Sequence, residues 1–248
     1  MTKPADARII AENRDRVCYV TINRPEAKNA LNRAMYGAIR DAVVAAERDP
    51  DIDAVVIAGA GGNFTAGGDL KDMLEVLDGP NPSDIMAYDD YLPFETIRTL
   101  KKPTVACVDG ICMGGGLTLA LMCDIIIATD KARFAIPEAK VGIVDGHLPR
   151  LLRNVVPAAK LRNWMFTGSF FPASEASEVG LVTRVVPQDQ LEASLQKTLT
   201  DLKASSRSAI QTLKQIFNEV RPLSPMTDAY LTLMQPDVLA RLKKFAGR

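Results

Sequence analysis

The chain has one histidine, one tryptophan and four cysteines in 248 residues, and each scarcity closes off a class of chemistry. A lone histidine, His147, gives no basis for a His/Cys metal cage, so no metal is expected. Cys18, Cys107, Cys112 and Cys123 lie in apolar runs without CxxC spacing, which predicts buried free thiols and a reducing, cytoplasmic setting. Excess charge of either sign is also missing. Thirty basic residues balance thirty acidic ones, whereas gripping nucleic acid requires a basic excess to neutralise phosphates. No apolar run approaches the ~18 residues of a membrane span. The segment Met1 to Asp6 lacks the apolar stretch of a signal peptide.

What remains is an ordinary globular composition, 47% apolar and 24% charged, long enough to bury a large core. Val17 to Ile22 reads as a strand ending at the turn signal Asn23-Arg24-Pro25. Asn32 is placed as an N-cap, with Met35, Ile39, Val43 and Ala46 at helical spacing as far as Arg48. Ala54 to Ala58 is apolar throughout, as in a strand covered on both faces. Thr104 to Val108, Asp124 to Ala128 and Thr183 to Val186 read as further strands. Asp69 opens a short helix. Residues 78 to 93, with Gly79-Pro80-Asn81-Pro82 at their head, read as a mobile surface insertion that resumes as helix over Pro93 to Leu100. After about Glu138 the chain is mostly helical, punctuated by Pro187, Pro222, Pro225 and Pro236.

Two segments echo one another. DAVVIAGAGGNFTAGGDL and TVACVDGICMGGGLTLAL each run from apolar strand through glycine turn to helix start. A helix start leaves backbone N–H groups without partners and favours negative charge. Glycine admits positive φ and lets a ligand approach the backbone. Neither turn is followed by the Gly-Lys-Ser/Thr of a P-loop, and neither fits the GxGxxG dinucleotide fingerprint. Structural bends and an anion-stabilising pair both remain open on the glycines alone.

The surrounding residues narrow the choice. NRPEAKNALN (Asn23 to Asn32), GGNFTAGGDLKDM (Gly61 to Met73), ACVDGICMGGGLTLALMCDIIIAT (Ala106 to Thr129) and ARFAIPEAKVGI (Ala132 to Ile143) resemble, in order, the motifs of the crotonase, or enoyl-CoA hydratase/isomerase, family. The resemblance covers about residues 10 to 190. It implies an α/β fold with a repeated ββα core over 1–190, holding the acyl-CoA site, and a C-terminal helical trimerisation region over 191–248. It also implies a homotrimer or dimer of trimers, and coenzyme A as part of the substrate with no prosthetic group. By the same resemblance, the amides of Gly68 and Gly115 form an oxyanion hole for the thioester oxygen. Ala66, Asp69 and Leu70 line the adenine pocket, and Ala27 and Lys28 follow the pantetheine and phosphates. Hydration or double-bond shift of an enoyl thioester passes through an enolate-like species, and losing one such donor typically costs ~3 kcal/mol.

The acid–base groups depart from the family pattern. Family hydratases carry one glutamate just after the triple glycine and a second in the Pro-Glu motif. Here Glu138 supplies the second, and Thr118 stands at the first. A single raised-pKa carboxylate suffices for isomerisation, which takes a proton and returns it two carbons along, but is awkward for hydration. Asp145-Gly146 resembles the Phe-Asp-Gly segment of family members that make or break carbon–carbon bonds, so Asp145 is either a second catalytic carboxylate or a turn residue capping the helix at Leu148. His147 is a further participant or a turn residue. Thioester hydrolysis or C–C cleavage using Asp145 is the competing chemistry. A non-catalytic homologue binding RNA or a protein partner is the competing class, and it predicts a basic surface or loss of Glu138. A serine hydrolase would need a serine where Met113-Gly114 stands. Lys243 and Lys244 either reach a neighbouring subunit's coenzyme A phosphates or form a solvated helix end.

Overall fold

The computed structural model describes residues 6–218 and 236–247; Pro222 and Pro225 lie outside them. The sheet begins with a hairpin: β1 (Ile9–Arg14) pairs antiparallel with β2 (Val17–Ile22) across Asp15 and Arg16, both at positive φ. Two left-handed residues give the turn a twist that matches the strands it joins. From β2 onward every pairing in this sheet is parallel, through β3 (Ala54–Gly59), β4 (Thr104–Val108), β6 (Ile125–Thr129) and β9 (Arg184–Val186), in the order β1-β2-β3-β4-β6-β9. A smaller sheet combines β5 (Ile111–Met113), β7 (Arg133–Ala135) and β8 (Phe171–Pro172).

Strand pattern decides which layers form. In β3 the side chains of Val55 and Ile57 enter the main core, while Ala54 and Val56 join a second cluster with Val105, Cys107 and Ile127. Leu195 and Leu199 of helix α9 (Leu191–Ala204) close that second cluster. Parallel strands buried on both faces therefore read as unbroken apolar runs, as the sequence of β3 and β4 does. All four cysteines are free and buried. Helix α1 (Arg33–Arg48) starts where Asn32 accepts the Met35 amide at 2.9 Å.

Helix α2 (Leu70–Leu77) starts at Asp69, whose side chain accepts the Lys71 amide. The expected mobile insertion after it is corrected by the structure. Pro82–Asp90 is a 3-10 helix whose Ile85 and Tyr88 are almost fully buried, with the Tyr88 hydroxyl donating to Asp72. Arg33 holds the same Asp72 carboxylate at 3.2 Å. Two inward anchors outweigh a polar surface, and the segment is a wall. Helix α3 (Phe94–Thr99) follows. The remaining helices are α4 (Gly115–Leu121), α5 (Glu138–Val141), α6 (Leu148–Leu152), α7 (Ala158–Thr167), α8 (Ala173–Glu178), α10 (Arg207–Asn218) and α11 (Pro236–Phe245). Helix α11 packs against α2 and α5, with Leu242 buried and Lys243 paired to Asp78 at 3.0 Å, while Lys244 is exposed.

Asn29 ties the first glycine turn to the sheet. Fully buried and left-handed at φ 59°, it accepts the Arg24 amide and donates to the carbonyls of Ala60 and Asn63, each at 2.8 Å. Removing it takes a partner from the Arg24 amide and from two carbonyls, all three in half-buried residues. Asn29→Ala is expected to lose about 3 kcal/mol in urea denaturation; a loss within experimental error would show that these bonds do not hold the turn.

Candidate active site

The two glycine turns meet because their parent strands are neighbours. Past the β3–β4 pairing, the Thr65 amide donates to the Ile111 carbonyl at 3.0 Å, and the Met113 amide donates to the Thr65 carbonyl at 3.2 Å. The buried Thr65 hydroxyl donates to the Asn29 carbonyl at 2.7 Å and accepts the Gly67 amide at 3.0 Å. Gly67 has φ +85°, and a Cβ there would lie 2.7 Å from the Met113 carbonyl oxygen and 3.2 Å from the Gly115 nitrogen. The turns are thus packed backbone on backbone.

This contact brings the backbone of the two turns together at Gly68 and Gly115. A Cβ built on Gly115 would lie 3.8 Å from the Gly68 nitrogen. Gly115 is the first residue of α4, where an N–H has no intrahelical acceptor. The Leu31 amide bonds Gly67 and the Leu31 carbonyl bonds Asp69, bracketing Gly68 and leaving its N–H without an acceptor among the described residues.

Strand register delivers the carboxylate. β5 and β7 pair with Met113 opposite Ala135, and the Gly114 amide donates to the Ala135 carbonyl at 3.1 Å. Glu138, three residues beyond, therefore folds over the second turn: its Oε1 would be 2.6 Å from a Cβ on Gly114. The residue is half-buried, but its Oε2 is enclosed without a hydrogen-bond partner. Burial, reinforced by the negative charge of Asp145, pushes Glu138 up to about 8.

Asp145 is almost fully buried, and its oxygens are taken. Oδ1 accepts the amides of His147 and Leu148, each at 2.7 Å, and Oδ2 accepts the Thr118 hydroxyl at 3.0 Å. It thus ties down the start of α6, the capping reading of the sequence. Burial lowers the His147 pKa against the opposing pull of Asp145 and Asp89, and its ring meets Phe94 edge-on at 5.2 Å. Tyr36 is held as a neutral phenol by burial, with Asp145 and Glu138 adding to the effect, and its hydroxyl lies beside Gly115.

One cavity of about 370 Å³ gathers most of these groups, lined by Ala66, Gly68, Asp69, Leu70, Gly115, Glu138 and Asp145 among others. Ala27 and Lys28 are not in its lining. Lys28 is exposed, and its carbonyl accepts the Ala66 amide at 2.9 Å. Burial opposes ionisation of Asp69, but Arg24 at 2.6 Å and the Lys71 amide hold its pKa below the usual carboxylate value. Sequence reasoning passed over Tyr36, Met73, Tyr88, Leu92 and Phe94, which also line the cavity. Tyr36, at helical spacing in α1, gave only a core signal.

A family model described as enoyl-CoA hydratase/isomerase matches residues 12–234. The Mycobacterium tuberculosis protein named probable enoyl-CoA hydratase echA8 is 37% identical over 212 residues, 85% of this chain and 80% of that one. The chain belongs to the enoyl-CoA hydratase/isomerase family. The crotonyl-CoA hydratase of Syntrophomonas wolfei is 33% identical over 85% of this chain and 81% of its own length. Among solved structures, an enoyl-CoA hydratase from Mycobacterium avium subsp. paratuberculosis superposes with a TM-score of 0.85 at 29% identity, covering 96% of this chain and 98% of that one. The protein is an enzyme of the hydratase/isomerase type on a mixed α/β crotonase-like fold.

Glu138 carries a stability consequence. Its folded-state value lies above the ordinary 4.5, so the native state binds more protons than the unfolded chain between about 4.5 and 8. Its contribution is intact below that window and is lost as pH rises through it. Glu138→Gln should therefore show a smaller fall in Tm between pH 6 and 9 than the parent. Parallel melting curves across that range would contradict a buried, proton-binding Glu138.

Proposed function

We propose that the enzyme shifts the double bond of an enoyl-CoA thioester, with Glu138 carrying the proton. The observation behind this is the state of the three carboxylates lining the cavity. Asp69 is paired with Arg24, and both oxygens of Asp145 are occupied; only Glu138 has an enclosed, unpartnered oxygen. In a 3-enoyl thioester, Glu138 removes a proton from C2 and the electron pair moves toward the thioester oxygen. The N–H groups of Gly68 and Gly115 hold that developing charge. Glu138 then returns the proton to C4, leaving the 2-enoyl thioester with no atoms gained or lost. Ala66, Asp69 and Leu70 flank the adenine, and Ala27 and Lys28 follow the pantetheine and phosphates outside the cavity. The Met73, Leu92 and Phe94 side chains make an apolar berth for the acyl group. A homotrimer or dimer of trimers is proposed for the assembly, supported by the exposed apolar Val155, Phe166 and Phe170.

Hydration is the second reading, favoured by relatives that are named hydratases. Supplied with crotonyl-CoA and a 3-enoyl-CoA, the enzyme is expected to conjugate the latter quickly, seen as a rise in 2-enoyl thioester absorbance, and to hydrate crotonyl-CoA slowly. Rapid gain of water by crotonyl-CoA in mass spectrometry would reverse the assignment. Glu138→Gln should lower isomerisation at least ~100-fold while coenzyme A affinity stays within a few-fold. In the parent, kcat/KM should climb with pH and level off above about 8, because the base must be deprotonated. A profile flat from pH 6 to 9 would rule that out.

A further inference from the structure

We propose that Thr118 is a positioning residue: its hydroxyl locks the Asp145 carboxylate in place, and that fixed negative group makes Glu138 a stronger base. The inference rests on the Glu138 reading above. Four other helical threonines make a different bond. Thr99, Thr167, Thr198 and Thr200 each donate to the carbonyl four residues back, at 2.6 to 2.9 Å, the local bond expected of a helical threonine. Thr118, fully buried in the helix that opens at Gly115, instead reaches 27 residues along the chain to Asp145 Oδ2 at 3.0 Å.

The other Asp145 oxygen is held by two backbone amides, at 2.7 Å each. Bonds on both oxygens stop the carboxylate from swinging toward a substrate. It is therefore a stationary charge in the wall of the cavity that Glu138 shares. Around Glu138 stand Tyr36 from α1 and Asp145 from the loop before α6, with Lys140 on its own helix, exposed to solvent. From α11, which packs on α5, Lys243 is paired to Asp78. No ion pair reaches Glu138 among the described residues. An ionised Glu138 would be a second negative charge in the enclosure of Asp145, which is unfavourable, and the proton is retained on the carboxyl whose Oε2 is enclosed without a partner. A base whose proton affinity is matched to the working pH is the more effective for removing a proton from carbon.

The test is the pH dependence of kcat/KM for 3-enoyl-CoA isomerisation, measured beside the melting temperature of each variant. Asp145→Asn is expected to move the profile's midpoint down by at least ~1 unit and to lower the high-pH plateau. Thr118→Val should move the midpoint the same way by a smaller amount, and Thr118→Ser should keep the parent's. If Thr118→Val lowers the melting temperature but leaves the midpoint unmoved, Thr118 only packs the core and the proposal fails. If Asp145→Asn abolishes turnover at every pH while coenzyme A still binds, Asp145 itself handles the proton and the proposal fails as well. Glu138→Gln separates the levels: full activity there defeats the Glu138 reading, whereas an inactive Glu138→Gln with an unmoved Asp145→Asn midpoint defeats only this inference.

Discussion

Two backbone turns touching with no side chain between them set the rest of the site. Gly67 packs against the Met113 carbonyl and the Gly115 nitrogen at distances that no Cβ would tolerate. That contact follows from β3 and β4 being adjacent and parallel, so both turns leave the sheet at the same end. Thr65, buried and bonded to Asn29, Gly67, Ile111 and Met113, rivets them. Because the amides of Gly68 and Gly115 belong to the fold itself, no rotamer must be frozen to aim them. Donors fixed in this way need little reorganisation when charge appears, which is the property the proposed oxyanion hole would use.

Local chemistry made much of this visible in the chain alone. The apolar runs of β3 and β4, the Asn32 and Asp69 caps and the two glycine turns each depend on residues within a few positions. Ala66, Gly68, Asp69, Leu70, Gly115, Glu138 and Asp145 do come together around one cavity. What was not legible depends on partners distant in sequence. The strands β5, β7 and β8 have only two or three residues, too few to show a period, and exist through register with one another. The wall over Pro82–Asp90 looked polar because its stability comes from Ile85 and from the Tyr88 bond to Asp72, 16 residues away.

The three carboxylates around the cavity differ by their donors. Asp69 has an arginine and a backbone amide, Asp145 has a threonine and two amides, and Glu138 has none on its enclosed oxygen. Satisfied carboxylates brace structure; the unsatisfied one is where proton exchange with a substrate remains open. The fold bears that unpaired group as a stability loss that grows with pH, the usual sign of a site whose local chemistry is held against the preference of the chain.

This donor arrangement also gives a physical reason for threonine at position 118. A glutamate there would set a further negative group beside Asp145, whose Oδ2 the Thr118 hydroxyl reaches. Threonine brings a donor where a carboxylate would bring a charge. The aspartate on the loop before α6 then supplies the second negative group from the opposite side, braced by amides that a helix side chain could not recruit. Against the two-glutamate pattern that the family resemblance implies, this chain has threonine at 118 and, on the loop before α6, an aspartate that accepts hydrogen bonds on both oxygens. Under the proposed function, a carboxylate held on both oxygens serves to tune its neighbour, and that would separate a one-base isomerase from a two-carboxylate hydratase built on the same pair of glycine turns.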